Sequence, residues 1–181
     1  MIPFRFQRTS YRILYFRHTG YIAVRYDVIH SAKELLCGDH ISWPIEIGLG
    51  VLRHHAIVLA SKGDRVVKVI HVTEVDGEAL EYEVAEELVD IGDVIQQGNL
   101  WRYEYEPDKC YDLDVVIERA KAKRGRFKYD PLENNCEHYA RWCKNGENTS
   151  VQATAAKWGV AASLTGTVAV GALIVRRYLG I

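Results

Sequence analysis

Residues 51–60, VLRHHAIVLA, and 65–73, RVVKVIHVT, decide the fold. Both are runs of β-branched and apolar side chains, and Ser61-Lys62-Gly63-Asp64 between them is a turn signal, so the segment reads as a β-hairpin. A two-residue turn at Lys62-Gly63 and a four-residue loop over Ser61 to Asp64 share one centre, and either sets His54 opposite His71. Directly opposed side chains on one face of an antiparallel pair have Cβ atoms about 4.5–5.5 Å apart, within reach of a hydrogen bond between two imidazoles. His55 points to the other face, because successive strand residues alternate. A turn of three residues, or one centred on Gly63-Asp64, would break this register and hand the role of His54 to His55.

Downstream, Asn134-Asn135-Cys136-Glu137-His138 opens a helix. Cys136, Tyr139, Ala140 and Cys143 recur at i, i+3, i+4 and i+7, and Gly146 stands where a helix ends. Asn134 or Asn135 can cap the first backbone N–H groups, and Glu137 suits the positive end of the helix dipole. The same dipole favours a thiolate at Cys136, as a neighbouring imidazolium would. A cysteine on an apolar helical stripe also packs well as core, so Cys136 carries two readings. His138, two residues on and about 200° around the helix, faces away from Cys136 and is read as structural.

A nucleophile, a base and a third group that orients the base is the general arrangement for activating a weak nucleophile, and Cys136, His54 and His71 supply those three types. Taken singly, each histidine could equally be a satisfied core or surface residue. Zinc is the competing chemistry, but the chain has no Cys-x-x-Cys pair, and adjacent strand histidines cannot both aim at one metal. No metal and no cofactor is expected.

Gly38-Asp39-His40-Ile41, Arg53-His54-His55-Ala56-Ile57-Val58, Val69-Ile70-His71 and Asn135-Cys136-Glu137-His138-Tyr139 resemble, in that order, the blocks of the lecithin:retinol acyltransferase domain family, which includes the phospholipase A/acyltransferases. The resemblance covers roughly residues 36–150. It implies an α+β fold, an antiparallel sheet packed with helices in a permuted papain-like (NlpC-type) arrangement, where the histidines precede the cysteine. It implies Cys136 as nucleophile, His54 as general base and acid, and His71 as the residue that orients it, with His55 as the alternative base. The family's chemistry is acyl transfer from a phospholipid ester through a thioester to an alcohol, an amine or water.

From Gly159 to Val175, GVAASLTGTVAVGALIV, the chain carries no charge for 17 residues and is closed by Arg176-Arg177. As a helix this spans about 25 Å, a little less than a hydrocarbon core of roughly 30 Å. Trp158 and Tyr178 can sit at the interfaces while Lys157, Arg176 and Arg177 snorkel. Residues 157–178 are therefore read as a transmembrane or membrane-anchoring helix, with a buried or lipid-surface helix as the alternative.

The rest of the chain extends the same domain. Residues 80–91 fit either strand or helix, 100–105 alternate as a strand, and Asp112 to Arg124 reads as a helix capped by Asp112 and ended by Gly125. Residues 1–35 lie outside the resemblance. Tyr11–Arg17 and Tyr21–Tyr26 flank His18-Thr19-Gly20 and suggest an added hairpin. Residues 1–20 lack a continuous apolar run of the secretory kind, so the domain is expected to face the cytosol, with the C-terminal segment holding it at a membrane. Four cysteines in 181 residues show no disulfide framework. A formal net charge of −1 and no aromatic-basic platform argue against nucleic acid.

The expected function is a membrane-associated thiol acyltransferase or phospholipase A with a glycerophospholipid as acyl donor. The acceptor and the oligomeric state are unreadable from the sequence. Two alternatives remain: an NlpC-like thiol amidase or peptidase, and a non-catalytic membrane or host-protein binding module of the viral histidine-box type.

Overall fold

The computed structural model describes residues 11–17, 20–47, 50–78 and 80–157. It is an α+β structure around an eight-stranded sheet, with every neighbouring pair antiparallel. The strands are β1 (Tyr11–Arg17), β2 (Gly20–Val28), β3 (His40–Ile47), β4 (Gly50–Lys62), β5 (Val66–Glu74), β6 (Tyr82–Asp90), β7 (Trp101–Glu104) and β8 (Gly125–Phe127). Their order across the sheet is β1-β2-β7-β3-β4-β5-β6-β8. The segment 80–91, ambiguous from its pattern, is the strand β6. The helices are α1 (Gly92–Gln96), α2 (Leu113–Ala122), α3 (Cys136–Asn145) and α4 (Val151–Lys157). The chain beyond Lys157, where the membrane helix is expected, lies outside the described residues. Among the described residues no helix is long and apolar enough to cross a membrane.

The β4–β5 hairpin differs from the sequence reading in register. Lys62 pairs with Val66, so the turn is the three residues Gly63, Asp64 and Arg65, with Gly63 at φ +84°. Glycine occupies this left-handed conformation without steric cost. That turn moves every partner three positions along β5, an odd shift, which alone would turn His71 to the face of His55. A β-bulge at Leu59, between the pairs Val58↔Val69 and Ala60↔Lys68, takes back one position. The net shift is two. His71 therefore lies opposite Ala56, not His54, but His54 and His71 still share a face, as diagonal neighbours.

Each face of the sheet carries its own apolar core. On the His54 face, Ile41, Ala56, Val58 and Val69 pack under Ile29, Leu35, Ile91 and Leu100, with Trp43 against them. On the other face, Ile57, Ile70, Val72 and Val84 pack under α2 and α3 through Val116, Ala120, Cys136, Tyr139, Ala140 and Cys143. The i, i+3, i+4, i+7 stripe of α3 is thus buried along its whole length. At about 25 cal/mol per Å² of apolar surface, this two-sided burial is the main force holding the sheet between its coverings.

α2 begins immediately after Asp112, but the Asp112 side chain makes no capping hydrogen bond. Asp112 thus stands at the expected cap position, but through its backbone alone, its carbonyl accepting from the Val116 N–H at 3.0 Å. α3 is capped as its sequence predicts, by Asn135, whose side chain accepts from the N–H groups of Glu137 and His138. It closes on Gly146 at φ +81°.

Candidate active site

The β4–β5 ladder ends at Ala56↔His71, although β4 continues back to Gly50 and β5 on to Glu74. Beyond that pair β4 stays with β3, and β5 stays with β6 through Glu74↔Tyr82. The two strands splay apart. A cavity of about 470 Å³ occupies the opening, walled by Leu52, Arg53 and His54 from β4, by Val72, Thr73 and Glu74 from β5, and by Asn135 and Cys136 at the start of α3. Consecutive residues of both strands line it, so the cavity reaches both faces of the sheet. His54 and Cys136, which alternation assigns to different sides, meet it from two walls.

His54 Nε2 lies 2.7 Å from His71 Nδ1. His71 Nε2 lies 3.1 Å from Glu87 Oε2, within ion-pair distance but outside hydrogen-bond alignment. The Trp43 indole stands edge-on to the His54 ring, with centroids 4.9 Å apart. Burial is the chief reason that the His54 pKa is lowered, to about 3, helped by the neighbouring His71 and His55. Burial also lowers that of His71, while Glu87 pulls it back upward. Both rings are therefore neutral at pH 7.

Cys136 is 7% exposed. Its burial pushes the thiol pKa up to about 12, against the opposing pull of the backbone N–H groups of His55, Glu137 and Cys136 itself. The helix dipole thus does not prevail: the resting group is a thiol, and His54 across the cavity is neutral, so this is not a thiolate–imidazolium pair.

His55 is fully buried on the α3 side, with both ring nitrogens engaged: Nδ1 with His40 Nε2 at 2.9 Å and Nε2 with the side-chain nitrogen of Gln152 at 2.9 Å. His40 Nδ1 in turn meets the Tyr105 hydroxyl at 2.7 Å. Because an amide nitrogen only donates, His55 carries its proton on Nδ1 and passes the donor role to His40. His55 therefore has no free nitrogen to receive a proton from a thiol. Burial lowers the pKa values of His40 and His55 well below the usual histidine range.

His138 has the structural place expected of it: its Nδ1 accepts from the backbone N–H of Asn135, completing a reciprocal cap at the start of α3. Glu137 is almost fully buried. Its carboxylate accepts from the Ser150 hydroxyl at 2.6 Å and from the Gln152 backbone N–H at 3.1 Å, tying the start of α4 to the start of α3. Sequence reasoning assigned no role to His40, Tyr105 or Gln152. His40 stands in a quoted sequence block, but nothing in the spacing marks Gln152, which reaches this site only through the fold. Among the described residues no cluster of His, Cys, Asp and Glu is arranged to hold a metal ion.

The family model of lecithin retinol acyltransferase matches residues 33–149, more than half of the chain. The chain belongs to the lecithin retinol acyltransferase family. The match takes in β3 to β8 and α1 to α3, hence both histidine pairs and Cys136, and stops just short of α4. The β1–β2 hairpin precedes it. No curated protein and no solved structure matches the chain. Membership of the lecithin retinol acyltransferase family suggests acyltransferase or phospholipase-type activity.

Proposed function

We propose that this protein is a thiol acyltransferase or phospholipase A that takes a fatty acyl chain from a glycerophospholipid onto Cys136 and passes it to an alcohol, an amine or water. The observation that carries this reading is the shared cavity of Cys136 and His54, with His54 backed by His71 at 2.7 Å, in a chain of the lecithin retinol acyltransferase family. The histidines precede the cysteine, the chain order expected of a permuted papain-like architecture.

The proton inventory favours His54 over His55 as the base, because both His55 nitrogens are engaged. With the His54 proton on Nε2, donated to His71 Nδ1, and the His71 proton on Nε2 facing Glu87, the Nδ1 lone pair of His54 is left for the cysteine proton. Substrate binding brings an ester carbonyl to Cys136 Sγ as His54 removes the thiol proton. The new S–C bond forms, the ester C–O bond breaks, and the lysophospholipid alkoxide leaves with the proton from His54. In the second half, His54 takes the proton of the acceptor while its oxygen or nitrogen attacks the thioester, and the departing Cys136 sulfur recovers a proton. Backbone N–H groups around Cys136 are the donors proposed for the oxyanion.

The C-terminal segment 159–175 supports a membrane-bound lipid substrate through its composition. An amidase would use the same three groups, so lipid turnover is the deciding observation. Incubation of the full chain with phosphatidylcholine vesicles, followed by intact mass, should give a fatty-acyl adduct absent from Cys136→Ser. No adduct and no lysolipid under reducing conditions would overturn the reading.

A further inference from the structure

Gln152 lies outside the residues that the family model matches, yet it contacts the neighbours of both reacting groups. Its side-chain oxygen accepts from the Arg53 N–H at 2.9 Å, and its side-chain nitrogen donates to the Arg53 carbonyl at 3.1 Å. This pair of bonds is what an adjacent strand residue would make. Continuing the register of Ala56↔His71 by three residues would set Glu74 opposite Arg53, but β5 has turned away with β6 by then. The Gln152 carboxamide occupies that vacated ladder position. It satisfies the strand edge that β5 leaves at Arg53.

The same residue is anchored to α3. The Gln152 N–H donates to Glu137 Oε2 at 3.1 Å, its side-chain nitrogen lies 3.5 Å from the same oxygen, and it also donates to His55 Nε2. Arg53 immediately precedes His54, and Glu137 immediately follows Cys136. We propose that Gln152 is a positioning residue that fixes the separation of His54 from Cys136 and holds the splayed β4–β5 cleft open between them. Both side-chain donors are spent on Arg53 and His55, so Gln152 has none left for a substrate oxygen, which makes it a spacer and not an oxyanion donor.

This inference rests on the assignment of Cys136 and His54 as nucleophile and base. The test compares wild type, Gln152→Leu and Cys136→Ser, as full chains in detergent, for acylation by p-nitrophenyl butyrate and for alkylation of Cys136 by iodoacetamide across pH, with thermal unfolding of each. A misplacement of about 1 Å costs roughly 10²-fold in rate. The expected result is therefore a kcat for Gln152→Leu lower by one to two orders of magnitude with KM changed less than about twofold, and an altered pH dependence of Cys136 alkylation. If Gln152→Leu fails to fold, Gln152→Asn keeps the amide but is one methylene too short to reach Arg53 from a backbone held by Glu137, and is expected to show the same kcat loss. A folded variant with unchanged kcat and pH profile, or with a loss equal to its unfolded fraction, would overturn the spacer role alone. A wild type that forms no Cys136 adduct would overturn the catalytic assignment and this inference with it.

Discussion

His54 and His71 hydrogen-bond at 2.7 Å although they do not face one another in the ladder, because Ala56 holds the place opposite His71. The contact is diagonal. It exists because the bulge at Leu59 cancels one residue of an odd-length turn, so the hairpin's parity is a functional feature of the fold. Inserting one alanine between Ala56 and Ile57, on the His54 side of the fixed pairs Ile57↔Ile70 and Val58↔Val69, should move His54 by one position and turn its imidazole to the face opposite His71. The expected outcome is a folded or partly folded protein without acylation activity, with the NMR coupling between the two imidazoles lost.

His54 and His55 should respond differently to substitution. His54→Gln removes the proposed base and should lower kcat on the order of 10²–10⁴-fold with little change in unfolding temperature. His55→Ala leaves His40 and Gln152 without their buried partner and should cost about 2–4 kcal/mol in urea unfolding. A stable His55→Ala with no activity would reverse the assignment.

Cys136 should behave as a masked thiol. With its pKa pushed up to about 12, chiefly by burial, the reactive thiolate is a minute fraction at neutral pH, and alkylation should accelerate about tenfold per pH unit between pH 7 and 10. Peptide mapping of labelled protein should find the exposed Cys37 modified first. Rapid labelling of Cys136 at pH 6 would contradict a resting thiol.

Stability should fall on mild acidification. Burial is the first cause that lowers the pKa values of His40, His54 and His55, the second of these to about 3. Between the unfolded value near 6.5 and these lowered values the unfolded chain binds protons that the native state refuses, so stability is full above about pH 6.5 and is lost as pH falls toward 3. Each histidine contributes a slope of up to about 1.4 kcal/mol per pH unit in that window. Urea unfolding at pH 7.5 and pH 5.5 measures it, and a midpoint that stays constant would mean that these rings are charged in the native protein.

His71→Ala should leave Cys136 acylation detectable but slower. Losing the residue that orients a base typically costs on the order of 10–100-fold when geometry is otherwise kept, less than losing the base itself. The acyl-enzyme should therefore accumulate slowly in single-turnover mass measurements of His71→Ala. A loss equal to that of His54→Gln would give His71 a direct part in proton transfer.

The sequence by itself determined the local elements. The periodicity of Cys136, Tyr139, Ala140 and Cys143, the Asn135 cap and the Gly146 stop define α3, because helical period and capping depend on residues only a few positions apart. The β-branched runs around Ser61–Asp64 determine a hairpin for the same reason, and the quoted blocks identify the family. Tertiary structure alone decided the register of that hairpin, since the choice between a two-residue turn and a three-residue turn with a bulge depends on which side chains two separate cores will bury. It alone decided that the strands splay beyond His71, opening a cavity that Cys136 and His54 both reach. It also closed both nitrogens of His55 and brought Gln152 against Arg53 and Glu137. These contacts join residues up to 99 positions apart, and pattern within a window carries no record of them.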